Sequence, residues 1–393
     1  MPTPSPVLVR ADDLAAASGV RLLDVRWRLG DPAGHAQYLD AHIPGAVYAD
    51  LDADLAAPSA DGHGRHPLPD VADLQAAARR WGINEGDAVV VYDDNGNLAA
   101  ARAWWLLRWA GIADVRLLDG GLAAWREAGR PTVGGEEKAE PGDVVLTGGR
   151  LAVAGPDDVV RLVAGGGVLL DARAAERYRG EPNPIDRRPG HIPGAVSAPT
   201  TENLAADGTF RDPAQLAERF AGLGVEPGRT VGVYCGSGVT AAHEIAALQL
   251  AGIEDVVLYP GSWSQWATLP GRPVATGAEP FPPPPLVPPT EAARRVEGGA
   301  ILVDVRSEPR RAADGTIPGA IIGDRNNLPA EFGIDSPDRH APVVSLHTPI
   351  VVVCGSVDGS RPVAEGLIRL GFTDVVHVEG GFAAWSAAGL PVA

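Results

Sequence analysis

Apolar runs of four to six residues, rich in valine and leucine, recur along the chain and alternate with longer stretches that mix apolar and polar positions over ten or more residues. Short β-branched runs without polar alternation predict strands buried on both faces, and the longer stretches predict the helices that cover them. The expected class is α/β, built from parallel sheets flanked by helices. The pattern also repeats. Apolar runs ending in Asp-x-Arg occur at Asp24 and Arg26, Asp171 and Arg173, and Asp304 and Arg306. IPGA follows at Ile43, Ile192 and Ile317, then valine runs at Val89–Tyr92, Val231–Tyr234 and Val351–Val353. Each copy closes on a glycine turn and a tryptophan: Trp125, Trp266 and Trp385. Self-similarity at this period implies three tandem domains, each large enough for its own core.

Composition sets the boundaries. Residues 1–132 form the first domain, 133–149 a linker within a stretch, 129–149, rich in Gly, Glu and Pro, and 150–277 the second domain. Residues 278–290 carry FPPPPLVPP, an expected extended spacer, and 291–393 form the third domain. No run approaches the ~18 apolar residues of a membrane span and MPTPSPVLVR lacks an apolar signal core, so the expected compartment is the cytoplasm. A net charge of −17 disfavours nucleic acid and anionic membranes as partners. Two cysteines in 393 residues make no disulfide framework. The histidines are scattered and no phosphate-binding glycine motif appears, so neither a metal nor an organic cofactor is expected.

The chemical site falls in the second copy. Cys235 ends a strand and precedes a helix expected to begin near Thr240, so Cys235-Gly-Ser-Gly-Val-Thr240 must form a tight loop. Gly236 and Gly238 give that loop its backbone freedom, and its amides with the helix N-terminus favour an anion: a thiolate, or a persulfide on the same sulfur. A cysteine at a strand end is commonly a buried structural residue; the glycine loop and the repeat context favour the reactive reading here.

These motifs identify the copies as resembling rhodanese domains. Residues 1–277 resemble a two-domain sulfurtransferase of the rhodanese and mercaptopyruvate sulfurtransferase family, with an inactive first domain and an active second. CGSGVT at Cys235–Thr240 is similar to the loop of the mercaptopyruvate enzymes, and GHIPGAV at Gly190 and YPGSW at Tyr259 extend the likeness across the second copy. The first copy has Tyr92-Asp93-Asp94-Asn95 where the cysteine belongs.

The resemblance implies that Cys235 is the nucleophile, with Ser237, His66 (in RHPLP) and Asp52 as a proton relay. It implies that the amides of Gly236, Gly238, Val239 and Thr240 hold the charged sulfur. It matches Arg177 to the first substrate arginine; the position of the second, nine residues on, is Asp186, leaving Arg187 or Arg188 as replacements. The segment 171–191 has five arginines against four acids, a local exception in an acidic chain, and guanidinium forks suit anionic donors.

The expected activity is transfer of sulfane sulfur from 3-mercaptopyruvate, or from thiosulfate, through a Cys235 persulfide to cyanide, a low-molecular-weight thiol or a protein thiol such as thioredoxin. A non-catalytic protein-binding scaffold is the alternative class. Phosphatase or arsenate reductase chemistry lacks its arginine, since Ala241 stands six residues after Cys235. In the third copy Cys354 lies 17 residues before Gly371, as Cys235 lies 17 before Gly252. Cys354 is therefore a candidate second sulfur site, with Asp358 an expected negative charge in its pocket and Arg361 its counterweight.

Overall fold

The computed structural model describes residues 7–278, 280–281 and 283–393. The opening MPTPSP and two positions of the expected spacer, Glu279 and Pro282, lie outside them. The first two copies form one compact unit and the third copy forms another.

All strand pairs of the three sheets are parallel. The first copy contains β1 (Leu8–Val9), β2 (Val20–Asp24), β3 (Ala46–Tyr48), β4 (Ala88–Tyr92) and β5 (Val115–Leu118), in spatial order β1-β5-β4-β2-β3. The second contains β6 (Val168–Asp171), β7 (Ala195–Ser197), β8 (Val231–Tyr234) and β9 (Val256–Leu258), in order β7-β6-β8-β9. A single parallel bridge, Val153 to Leu258, stands where the first copy has β1. The third contains β10 (Leu286–Val287), β11 (Ile301–Asp304), β12 (Ile321–Ile322), β13 (Ile350–Val353) and β14 (Val375–Val378), in order β10-β14-β13-β11-β12.

Both expected linkers are partly folded. β10 pairs with β14 and the helix Pro289–Glu297 follows it, so the third domain begins inside the expected 278–290 spacer. The proline that composition reads as a spacer also serves as a helix start, where its missing N–H costs nothing. In the 133–149 segment, Val133 pairs with His42, Gly142 N donates to Arg79 O, and Val144 and Leu146 are buried. It is a strap along the first domain.

One continuous apolar core runs through the first two copies. At its centre lie the helices Ala100–Trp109 and Thr240–Leu250, each buried over most of its circumference. That burial explains sequences such as AAHEIAAL, apolar nearly all round rather than on one stripe. Helix Thr240–Leu250 starts directly after the cysteine loop, so this packing fixes the loop's floor. The third unit has separate apolar clusters on its sheet, as a sheet covered on both faces requires.

The recurrent Asp-x-Arg element is a buried ion pair in every copy. Arg26 Nη2 meets Asp24 at 2.7 Å, Arg173 Nη2 meets Asp171 at 2.5 Å, and Arg306 Nη2 meets Asp304 at 2.7 Å. The arginines also donate to the carbonyls of Ala41, Gly190 and Gly315, which ties each strand end to the following loop. This is architecture, present whether or not the copy holds a cysteine.

Candidate active site

The site lies beyond the carboxyl end of β8, the usual position for a ligand in a parallel sheet. Cys235 is 2% exposed, and Gly238 N donates to its Sγ at 3.2 Å. Gly238 makes this possible by adopting φ +79°, where a Cβ would strike the Pro260 carbonyl oxygen. The YPGSW motif braces the loop from the sheet side. Trp263 N donates to Cys235 O at 3.0 Å and Ser264 N to Gly236 O at 2.9 Å, while Cys235 N and the Ser262 hydroxyl lie 3.1 Å apart. Ser262 holds the left-handed conformation at φ 53°, strain of about 1–3 kcal/mol for a non-glycine residue.

The first copy occupies its own cradle. Asp93, directly after β4 as Cys235 is after β8, is fully buried, and its carboxylate accepts from the amides of Asn95, Asn97, Ala99 and Ala100 at 2.7–3.0 Å. The loop that follows this strand is thus a ready anion holder, satisfied internally in one copy and carrying a thiol in the other.

The three residues expected to form a relay meet in space. His66 Nδ1 lies 2.7 Å from Ser237 Oγ, and Nε2 lies 3.1 Å from Asp52 Oδ1. Asp52 sits in the short helix Leu51–Asp54, capped by Asp50, and its second oxygen accepts from Trp27 Nε1 at 3.0 Å. A carboxylate only accepts, so Nε2 carries the hydrogen and Nδ1 is left to receive the Ser237 proton. Burial lowers the His66 pKa from its ordinary value, with the Arg102 and Arg65 charges adding to the effect and Asp52 opposing it. The imidazole is neutral at pH 7, the state a base needs.

Two arginines that sequence reasoning did not assign complete the site. Arg102, wholly buried in the first copy's helix, donates to Leu55 O, His66 O, Pro67 O and, at 3.1 Å, Gly238 O. It pins the histidine segment and the cysteine loop together, and burial pushes its pKa down to about 10. Its signal was a charge inside the apolar run AARAWWLL. Arg65 stands immediately before His66 and lines the cavity of about 260 Å³ at Cys235, together with Arg177, Gly236, Ser237, Val239 and Thr240.

The expected substrate arginines divide. Arg177 is at the site, but Asp186 takes its Nε at 2.9 Å and its Nη2 at 2.7 Å. Although burial opposes its ionisation, Asp186 is held below the usual carboxylate range by Arg177 and Arg173. Arg187 lines a neighbouring cavity of about 400 Å³ rather than that of Cys235. Arg188 points elsewhere, donating to Arg272 O at 2.9 Å. Neither replaces the missing arginine.

In the third copy Cys354 follows β13 at the edge of a cavity of about 730 Å³. The equal spacing to the next glycine conceals a different loop. Helix Val357–Arg369 begins three residues after the cysteine, capped by Ser356, whereas Thr240 begins its helix five residues after Cys235. Arg361 and Asp358 are exposed and neither lines the cavity, contrary to expectation. The cation at the sulfur is Arg325, whose Nη2 lies 3.5 Å from Sγ.

Among the described residues, no helix is long and apolar enough to cross a membrane, and no cluster of three or more His, Cys, Asp or Glu could hold a metal ion.

Residues 9–128, 155–269 and 288–388 each match the rhodanese-like domain, and the chain belongs to the rhodanese family. Its first two copies are similar to named sulfurtransferases. A Mycobacterium tuberculosis protein named "Putative thiosulfate sulfurtransferase SseB" is 48% identical over 281 residues, covering 69% of this chain and 97% of that protein. A Pseudomonas aeruginosa protein named "Probable 3-mercaptopyruvate sulfurtransferase" is 49% identical over 280 residues, 69% of this chain and 98% of the relative. The solved structure of SseA from Escherichia coli, described as a 3-mercaptopyruvate sulfotransferase with the rhodanese fold, superimposes with a TM-score of 0.60 at 33% identity and covers 66% of this chain.

Proposed function

We propose that this rhodanese-family sulfurtransferase takes the sulfur of 3-mercaptopyruvate onto Cys235 and passes it to a thiol or to cyanide. Cys235 thiolate attacks the donor sulfur, the donor carbon–sulfur bond breaks, and its electrons leave as the enolate of pyruvate. The proton of the donor thiol is carried through Ser237 and His66 to that enolate, giving pyruvate and a persulfide anion on Cys235. The loop amides receive the outer sulfur as the equivalent loop receives the Asp93 carboxylate. An acceptor thiolate then takes the outer sulfur and returns Cys235 as thiolate; cyanide yields thiocyanate. No cofactor enters the cycle.

One observation carries the donor choice: Ser237 Oγ is 2.7 Å from His66 Nδ1, a relay suited to a leaving group that must be protonated. Sulfite, the leaving group of thiosulfate, has no such need. The test is kcat/KM for the two donors with cyanide as acceptor, in wild type and in Cys235→Ser. A preference for 3-mercaptopyruvate that disappears in the variant supports the reading, while a thiosulfate preference overturns the donor. The proposed acceptors are thioredoxin or a small thiol, and the proposed compartment is the cytoplasm, in keeping with two unpaired cysteines.

A second sulfur site at Cys354 is favoured by the Arg325 contact and by Arg306, a lining residue that is 3% exposed and whose Nη1 has no hydrogen-bond partner. In full-length Cys235→Ser, a low-molecular-weight persulfide should add one sulfur atom to Cys354. No addition there, or identical transfer to protein acceptors in Cys354→Ser and wild type, would remove this site from the reaction.

A further inference from the structure

Gly236, next to the nucleophile, has two guanidiniums close beside it. A Cβ built on it would lie 3.0 Å from Arg177 Nη2 and 3.0 Å from Arg65 Nη2, so the bare glycine leaves the gap in which both charges converge. The two arginines are not equivalent. Asp186 occupies the Nε and Nη2 pair of Arg177, the fork that would otherwise receive a carboxylate side-on, and the Asp186 side chain is itself buried. Arg65 meets no carboxylate among the described residues: Nη1 donates to Ile185 O at 3.2 Å, and its buried Nε has no hydrogen-bond partner.

A buried, unsatisfied N–H on a cation is costly unless a ligand completes it. The backbone on either side of Arg65 is held firmly. Arg65 N donates to Ser264 Oγ at 3.0 Å, Gln265 Nε2 donates to Gly62 O at 2.7 Å, and His66 follows directly in the relay. The guanidinium is therefore positioned from the first copy against a loop of the second.

We propose that Arg65 is the residue that binds the carboxylate of the donor, a 2-oxo acid bearing a thiol, and that Asp186 has taken Arg177 out of that role. The donor then bridges the two copies, its carboxylate on Arg65 and its sulfur at Cys235, with the proton relay one residue away. The exchange also accounts for the acid at position 186: it neutralises one of two like charges that converge at Gly236. This assignment rests on the sulfur-transfer reading given above.

The test uses the full-length chain with 3-mercaptopyruvate and thiosulfate as separate donors. Arg65→Gln should raise KM for 3-mercaptopyruvate about 10- to 100-fold, the loss of a charged hydrogen-bonded pair, with kcat changed much less. Arg65→Lys, which keeps the charge but not the fork, should fall between wild type and Arg65→Gln. In the Arg65→Gln background, Asp186→Asn should restore donor affinity by freeing Arg177. Calorimetric binding of 3-mercaptopyruvate to Cys235→Ser, with and without Arg65→Gln, reads the same loss without turnover. An unchanged KM and unchanged binding in Arg65→Gln would overturn the assignment, as would a loss confined to thiosulfate. Absence of sulfur transfer by wild type from either donor would instead defeat the functional reading, and the binding measurement would still decide Arg65.

Discussion

His66, the proposed proton carrier, sits where burial depresses its affinity for a proton, and the sign of that shift is measurable. Its pKa lies below the ordinary 6.5, so the acid limb of kcat/KM should fall below that pH. Asp52 works against the depression. Asp52→Asn should therefore move the limb to still lower pH, with activity reduced about tenfold or more as the base weakens. A limb at or above 6.5 in wild type, or one that rises in the variant, would contradict the neutral-base assignment. Gly238 carries a different demand: at φ +79° beside the Pro260 carbonyl, Gly238→Ala should cost about 2 kcal/mol or more and remove the amide from Cys235 Sγ. Denaturant melts and cyanide assays of the purified variant read both effects. The legibility of these residues in the sequence was uneven. Cys235 announced itself through its glycines, whereas His66 is 171 positions from the serine it serves and was visible only through resemblance. Arg65 stands in RHPLP without a local signal of its role, because nothing local in a sequence shows which guanidinium an aspartate nine residues from another arginine will leave unpaired.

The two central helices set what the elements tolerate. Arg102 in the helix Ala100–Trp109 donates to four carbonyls drawn from both copies; Pro67 O also accepts from Ala57 N, but Arg102→Leu leaves the Leu55, His66 and Gly238 oxygens without a donor. With three carbonyls orphaned, a stability loss of about 3 kcal/mol or more is expected, together with lower sulfur transfer because Gly238 and His66 lose their common tether. Thermal melts showing no loss would contradict the role given to this buried cation. In the facing helix Thr240–Leu250, His243 is wholly buried and burial pushes its pKa down to about 3. The unfolded chain binds a proton near pH 6.5 that the native state refuses. Its contribution to stability is thus complete above that pH and is lost as pH falls toward 3, by about 1.4 kcal/mol per pH unit. His243→Gln should flatten the acid side of the stability–pH curve, and an unaltered slope in urea melts across that range would contradict it. Elements of this kind were legible as periodicity: the long apolar helices and the valine strands stand where the pattern put them. The two-residue edge strands β1 and β10 were not, because their pairing is decided by a neighbour far along the chain, and β10 lay within a segment whose prolines read as a spacer.

At the scale of the molecule, one fold unit appears three times and has been used differently each time. The first copy fills its anion cradle with Asp93 and supplies a histidine, an aspartate and two arginines to the second; the second presents the thiol; the third has a cysteine with a shortened loop and a different cation. The first two copies share one core, and the proposed active site draws side chains from both, so on this reading the copy without a cysteine is part of the catalyst rather than a relic. Self-similarity of the sequence revealed the three domains, but it also made Cys235 and Cys354 look alike; the early helix start at Val357 separates them and spacing alone could not. The most direct test of the central claim is a single-turnover experiment on the full-length chain. One equivalent of 3-mercaptopyruvate is added without acceptor, pyruvate is quantified, and the peptides carrying Cys235 and Cys354 are weighed by mass spectrometry. The account predicts stoichiometric pyruvate with one added sulfur atom on the Cys235 peptide. Pyruvate release with Cys235 unmodified and the sulfur on Cys354 would contradict it.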